Sequence, residues 1–171
     1  MKIKNVIVGP LETNCYLLIN SGKCFIIDPG EEAALIEKAI GDYKVVGIII
    51  THYHFDHIGA LEALKNKYQV EVYDFHNLKE GMNQIENFMF EVLFTPGHKE
   101  DSISLLFEKN MFVGDFIFKN SIGRTDLEGG NFEQMKESIQ KLKSYPNDII
   151  LYPGHGELTT LEEEKKYNMF F

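Results

Sequence analysis

The stretch THYHFDHIGA, residues 51–60, decides how this chain is read. It follows directly on an apolar run, VVGIII at residues 45–50, and places His52, His54, Asp56 and His57 within six consecutive positions. A buried strand that ends in three imidazoles and a carboxylate crowds polar groups where water is scarce, and such crowding is costly without a positive partner. A metal ion supplies one. His52 and His54, two residues apart, share a side of an extended backbone, whereas Asp56 and His57 come a turn later and address a neighbouring point. One short loop thereby serves two metals about 3.5 to 4 Å apart, the spacing of two-metal hydrolytic sites.

Working outward, the same chemistry recurs at other strand ends: His98 in TPGH, Asp115 in VGDF and His155 in YPGHG. Active sites are commonly built from loops of this kind on a rigid sheet. Seven ligands divide naturally if His52, His54 and His98 hold one ion, Asp56, His57 and His155 hold the other, and Asp115 bridges. A water shared by two such ions is acidified to hydroxide near neutral pH, and the cations stabilise the oxyanion formed when it attacks a carbonyl. That chemistry is hydrolysis of an activated acyl bond. Taken alone, TPGH is also an ordinary turn, and the sixth histidine, His76 in YDFHNL, reads as polar surface. A purely structural zinc site would be closed, four-coordinate and rich in cysteine, unlike this set.

The remaining composition narrows the classes. At 171 residues the chain has the length of one ordinary domain, with 44% apolar and 25% charged residues. Seventeen basic against 26 acidic residues give a formal charge of −9, which disfavours a nucleic-acid partner held through phosphates. No run approaches the roughly 18 apolar residues of a membrane span, and MKIKNVIVGP lacks the apolar stretch of a signal peptide. A cytoplasmic location without a membrane partner is expected. Cys15 and Cys24 lie on a hairpin turning at Ser21-Gly22, with Asn20 facing Lys23 and Cys24 facing Ile19. Their separation is then roughly 13 Å, beyond the 7 Å or so a disulfide tolerates, so two buried free thiols are expected.

Along the chain, KIKNVIV, NCYLLIN and KCFIID read as strands, and EEAALIEKAIGDY as a helix stopping near Gly41. VVGIII is a buried strand, IGALEALKNKY a helix opened by Asp56-His57, and VEVY another strand. LKEGMNQIENF, residues 78–88, reads as a loop. FMFEVLFTPGH is a strand presenting His98, and SISLLFE with MFVGDF an antiparallel pair ending at Asp115. NFEQMKESIQKLKSY is an amphipathic helix, DIILYPGHG a strand, and LEEEKKYNMFF a closing helix and tail.

TNCYLL, IIDPG, THYHFDHIGA, TPGH, GD, GRTDLEGG, PGHG and EEEKKYNMFF, taken in this order, cover nearly the whole chain and resemble the metallo-β-lactamase superfamily, within it the glyoxalase II-like hydrolases. The resemblance implies an α/β fold, a four-layer αβ/βα sandwich with the metals at one edge between two sheets. It implies cleavage of a small-molecule thioester such as S-lactoylglutathione by a hydroxide bridging two divalent ions, zinc first, with iron or manganese also suited to these ligands. Carried across, His52, His54 and His98 look like the first metal site, Asp56, His57 and His155 like the second, and Asp115 like the bridge. Asp56 would also orient the nucleophile or take its proton. Asp28 would orient a metal histidine from behind.

Arg124 in GRTDL suits a substrate carboxylate or the polar tail of a thiol carrier, or else pairs with Asp126 and stiffens the loop. Tyr152 either lines the pocket or is a buried aromatic. Glyoxalase II of eukaryotes carries a C-terminal helical domain that grips glutathione; residues 1–171 are expected to form one hydrolase domain without it. Persulfide dioxygenases resemble the same family and use one iron, which is the alternative activity. A nuclease would need a basic surface, and the flavodiiron type has a carboxylate where this chain has His54.

Overall fold

The computed structural model describes residues 1–171. Strand β1 (Lys2–Val8) pairs antiparallel with β2 (Thr13–Asn20), which turns back into β3 (Lys23–Ile27). Asn20 faces Lys23 and Cys24 faces Ile19, the register expected of a two-residue turn. Ser21 and Gly22 both have positive φ, as a turn matched to strand twist requires. Cys15 and Cys24 are free and buried, as expected. Helix α1 (Ala33–Ile40) crosses over to β4 (Lys44–Ile49), parallel to β3. The short helix α2 (Phe55–Ile58) and helix α3 (Leu61–Tyr68) then lead to β5 (Val72–Tyr73), completing a five-stranded sheet in the order β1-β2-β3-β4-β5.

The second sheet begins with β6 (Gly81–Ile85), followed by β7 (Phe88–Phe94), β8 (Ile103–Phe107) and β9 (Asn110–Gly114). A small ribbon, β10 (Ile117–Phe118) with β11 (Ser121–Ile122), precedes helix α4 (Phe132–Lys143). Strand β12 (Ile150–Pro153) runs parallel to β9, and β13 (Thr159–Thr160) leads into helix α5 (Leu161–Tyr167). Their order is β13-β12-β9-β8-β7-β6. The side chain of Asn131 accepts from the Gln134 amide and caps α4, whose buried residues Met135, Ser138, Ile139 and Leu142 share one face.

Period-two alternation explains the layering. In β2 and β3, Cys15, Leu17, Ile19, Cys24 and Ile26 face α1 and α3, where they meet Ile36, Ile40, Leu61 and Leu64. The intervening Tyr16, Leu18, Phe25 and Ile27 face the second sheet and pack on Phe88, Phe90, Leu105 and Phe112. On its far side that sheet packs Met111, Val113 and Leu151 against Met135, Ile139, Leu142 and Leu161 of the last helices. Three apolar interfaces between four layers give the helix-sheet-sheet-helix sandwich, the fold class that the family resemblance implied.

Two local expectations are corrected. Residues 78–88 contain an edge strand, β6, paired with β7 through Met82–Glu91 and Ile85–Phe88, where a loop was expected. Its burial alternates, but an edge strand needs few apolar residues, so GMNQI carries little strand signal. The helix expected over IGALEALKNKY is split at Gly59-Ala60. There the Ala60 amide donates to the Pro29 carbonyl at 2.9 Å and bends the chain onto the end of β3. No helix is long and apolar enough to cross a membrane.

Candidate metal centre

The histidine-bearing loops leave the C-terminal ends of β4, β7 and β12, and Asp115 follows the end of β9; all converge on one edge of the sandwich. The structure brings together all seven side chains singled out in the sequence. His52, His54, His98 and Asp115 form one group, and Asp56, His57 and His155 another, each with its ligand atoms within 4.8 Å of one another. His54 Nδ1 stands 3.1 Å from His52 Nε2 and 2.8 Å from His98 Nε2. In the second group His155 Nε2 lies 3.1 Å and His57 Nε2 3.6 Å from Asp56 Oδ2. Asp115 stands between them, with Oδ1 at 3.4 Å from His57 Nε2 and Oδ2 at 3.5 Å from His98 Nε2. Neighbouring ligands of a tetrahedral ion with bonds of 2.0–2.1 Å lie about 3.3 Å apart, so these separations suit metal coordination.

The tautomers agree. Thr51 donates its hydroxyl to Asp28 Oδ2 at 2.6 Å, so its oxygen accepts from His52 Nδ1 at 3.1 Å. His57 Nδ1 donates to the same Asp28 oxygen at 2.9 Å, His98 Nδ1 to the Arg124 carbonyl at 2.8 Å, and His155 Nδ1 to the Leu11 carbonyl at 3.0 Å. Four rings thus have their N–H tied outward, and their Nε2 lone pairs converge on the cluster. Without a cation these lone pairs face one another. Of the three buried side-chain polar atoms that lack a partner, two are His57 Nε2 and Asp115 Oδ1, which point at the same space. The donor set therefore fits metal ions.

Electrostatics agree with geometry. Burial and the neighbouring imidazoles hold His52 well below the usual histidine range. Burial opposes a charge on His57, yet Asp28 and Asp115 outweigh it and favour positive charge at this ring, a charge that a metal ion at Nε2 would supply in place of a proton. Burial likewise works against ionised Asp56, but His155, His57 and the Thr13 hydroxyl at 3.1 Å keep it below the carboxylate range. The pocket is built to hold positive charge.

Asp28 sits where the sequence placed it, behind a histidine, and in fact serves two. Thr51, Thr13 and the carbonyls of Leu11 and Arg124 were not foreseen. Thr51 and Thr13 open THYHFDHIGA and TNCYLL without carrying a ligand pattern, and a carbonyl contact leaves no mark on residue type. The Arg124 backbone borders the site, while its exposed guanidinium makes two bonds to Asp126 at 3.0 and 2.9 Å. Tyr152 stacks on Phe112 and donates to Asn110 at 3.0 Å. A hollow of about 470 Å³ opens over His54, Asp56, His98, Asp115 and His155. His76 lies in a different hollow, with Tyr53 and Asp101 and none of the seven.

Comparison with known proteins gives a consistent family. A family description reading "metallo-beta-lactamase superfamily" matches residues 8–83 and 70–155. Hydroxyacylglutathione hydrolase GloC of Haemophilus influenzae is 33% identical over 99% of this chain and 98% of its own length. That alignment runs over 207 positions against 171 residues, so at least 36 positions of it have no counterpart here. Among solved structures, BLEG-1 B3 metallo-beta-lactamase superposes with a TM-score of 0.94 at 32% identity, covering 99% of each chain. ETHE1 from Myxococcus xanthus superposes with a TM-score of 0.92 at 30% identity, covering 99% of this chain and 84% of that one.

Proposed function

The chain belongs to the metallo-beta-lactamase superfamily, and on that premise we propose that it is a two-metal hydrolase cleaving a hydroxyacyl thioester of the S-lactoylglutathione kind or a related small ester. One observation carries the reading: two ligand groups, each with its own histidines, meet at the single carboxylate of Asp115. His52, His54 and His98 would hold one ion and Asp56, His57 and His155 the other, with zinc as the proposed metal and iron or manganese compatible with the same donors. Divalent ions there would polarise a carbonyl oxygen and render water nucleophilic at neutral pH.

The protein's own groups supply the rest. Asp28, Thr51 and the two carbonyls fix the imidazole tautomers and orientations, so the donors are in place before substrate arrives. Asp56 combines a ligand position with a carboxylate facing the hollow, which suits it to hold the proton of the attacking water. Arg124 forms part of the wall. GloC supports the thioester reading, and the formal charge of −9 supports a small-molecule substrate over nucleic acid. A cytoplasmic site of action accompanies the proposal.

A one-iron persulfide dioxygenase is the second reading, favoured by the likeness to ETHE1. The meeting of two ligand groups at Asp115 favours two ions over one. In the hydrolase, Asp115→Ala and Asp56→Ala each lower thioester turnover by at least about a hundredfold. Unchanged turnover in both variants would refute the assignment.

A further inference from the structure

The hollow over the histidines has an apolar mouth. Phe55, Leu11 and Leu127 stand 69%, 51% and 40% exposed around it, and Phe118 joins them. Phe55 opens α2 between His54 and Asp56, so the backbone that places two proposed ligands also fixes this ring at the rim. Large apolar side chains gathered around a polar cluster mark a surface that something apolar covers.

Charge at the mouth points the same way. Arg124 is the one Lys or Arg lining the hollow, and its guanidinium is matched by Asp126 through two hydrogen bonds. In the adjoining hollow, which shares Phe118 and His155, Lys119 is matched by Glu157 at 2.7 Å. A carboxylate arriving at either cation also meets the carboxylate already there, so it gains little. Glutathione would bring two carboxylates to this mouth.

Resting on the thioester reading above, we propose that the substrate lays an uncharged, apolar group across this mouth: an aliphatic acyl thioester whose carrier is uncharged next to the sulfur, in preference to a glutathione conjugate. Leu11, Phe55, Phe118 and Leu127 contact the chain, and Arg124 closes the wall without gripping an anion.

Thioethers resist hydrolysis, so they test the mouth apart from the chemistry. Calorimetric titration of the metal-loaded protein compares S-methyl-N-acetylcysteamine, S-hexyl-N-acetylcysteamine and S-hexylglutathione. The hexyl compound is expected to bind at least about tenfold more tightly than the methyl one, with S-hexylglutathione no tighter than its N-acetylcysteamine counterpart. Phe55→Ser, or Leu127→Ser if the first variant folds poorly, narrows the hexyl-to-methyl ratio to less than about threefold. Equal binding of methyl and hexyl compounds, or S-hexylglutathione binding about tenfold tighter than the uncharged hexyl compound, would overturn the inference. Should the expected binding pattern accompany no cleavage of any thioester, the hydrolase reading alone falls.

Discussion

Asp28 shows how one carboxylate sets the chemistry of two rings. It accepts from His57 Nδ1 directly and from the Thr51 amide and hydroxyl, and Thr51 in turn accepts from His52. Asp28→Ala removes these anchors while leaving all seven proposed ligands in the chain. Metal affinity is expected to fall about 10- to 100-fold, read by competition with a chromogenic chelator; unchanged affinity would remove Asp28 from the site. The thiols behave oppositely. Burial raises Cys15 well above the ordinary thiol range and pushes Cys24 up to about 12, so both stay protonated at pH 8. Neither is expected to react with a thiol reagent in the folded protein, whereas both react in denaturant. Rapid labelling of the native chain would contradict this burial. That these seven residues cluster was legible in the sequence because imidazoles and carboxylates recur after apolar runs. Thr51 and Thr13 were not, since a hydroxyl that orients a ligand looks like any other threonine.

At the scale of elements, the site depends on how closely two turns approach. Gly30, after β3, packs against the backbone of α2: a Cβ there would lie 1.9 Å from the Asp56 carbonyl oxygen. Gly59 meets the Gly30 carbonyl in the same way, at 2.2 Å. Gly30→Ala must push the loop carrying Asp56 and His57 away from Asp28. It is expected to destabilise the fold by more than about 2 kcal/mol and to lower metal content, measured by denaturant melts and elemental analysis. Wild-type stability and metal content in this variant would show that the loop tolerates displacement. Most strands were legible from apolar alternation, and α4 from its spacing. Strand β6 was not, because GMNQI is an edge strand held largely by backbone pairing to β7. The break between α2 and α3 was hidden because Ile58, Leu61 and Leu64 keep helical spacing across it.

For the molecule as a whole, three apolar interfaces hold the four layers, and the histidine cluster belongs to none of them. Because the apolar interfaces do not depend on the cluster, the fold is expected to persist without metal, and bound metal to add to its stability. Each ion present at a hundredfold excess over its Kd adds about 2.7 kcal/mol, a rise in Tm of roughly 5 to 10 °C for a chain of this size. Chelation of both ions is expected to lower Tm by roughly twice that while the far-ultraviolet circular dichroism at 25 °C is retained. An unchanged Tm would mean that the cluster binds no stabilising ion. The sandwich itself was legible through the ordered motifs and not through periodicity, because alternation shows which residues are buried but not which layer covers them. The central claim, two ions performing hydrolysis, is tested most directly by metal content per chain. The protein is prepared without chelator, and the same sample is assayed for cleavage of S-lactoylglutathione and S-hexanoyl-N-acetylcysteamine and for oxygen uptake with a persulfide. Near two ions per chain with thioester cleavage and no oxygen uptake is the expected result; one iron per chain with persulfide-dependent oxygen uptake would contradict it.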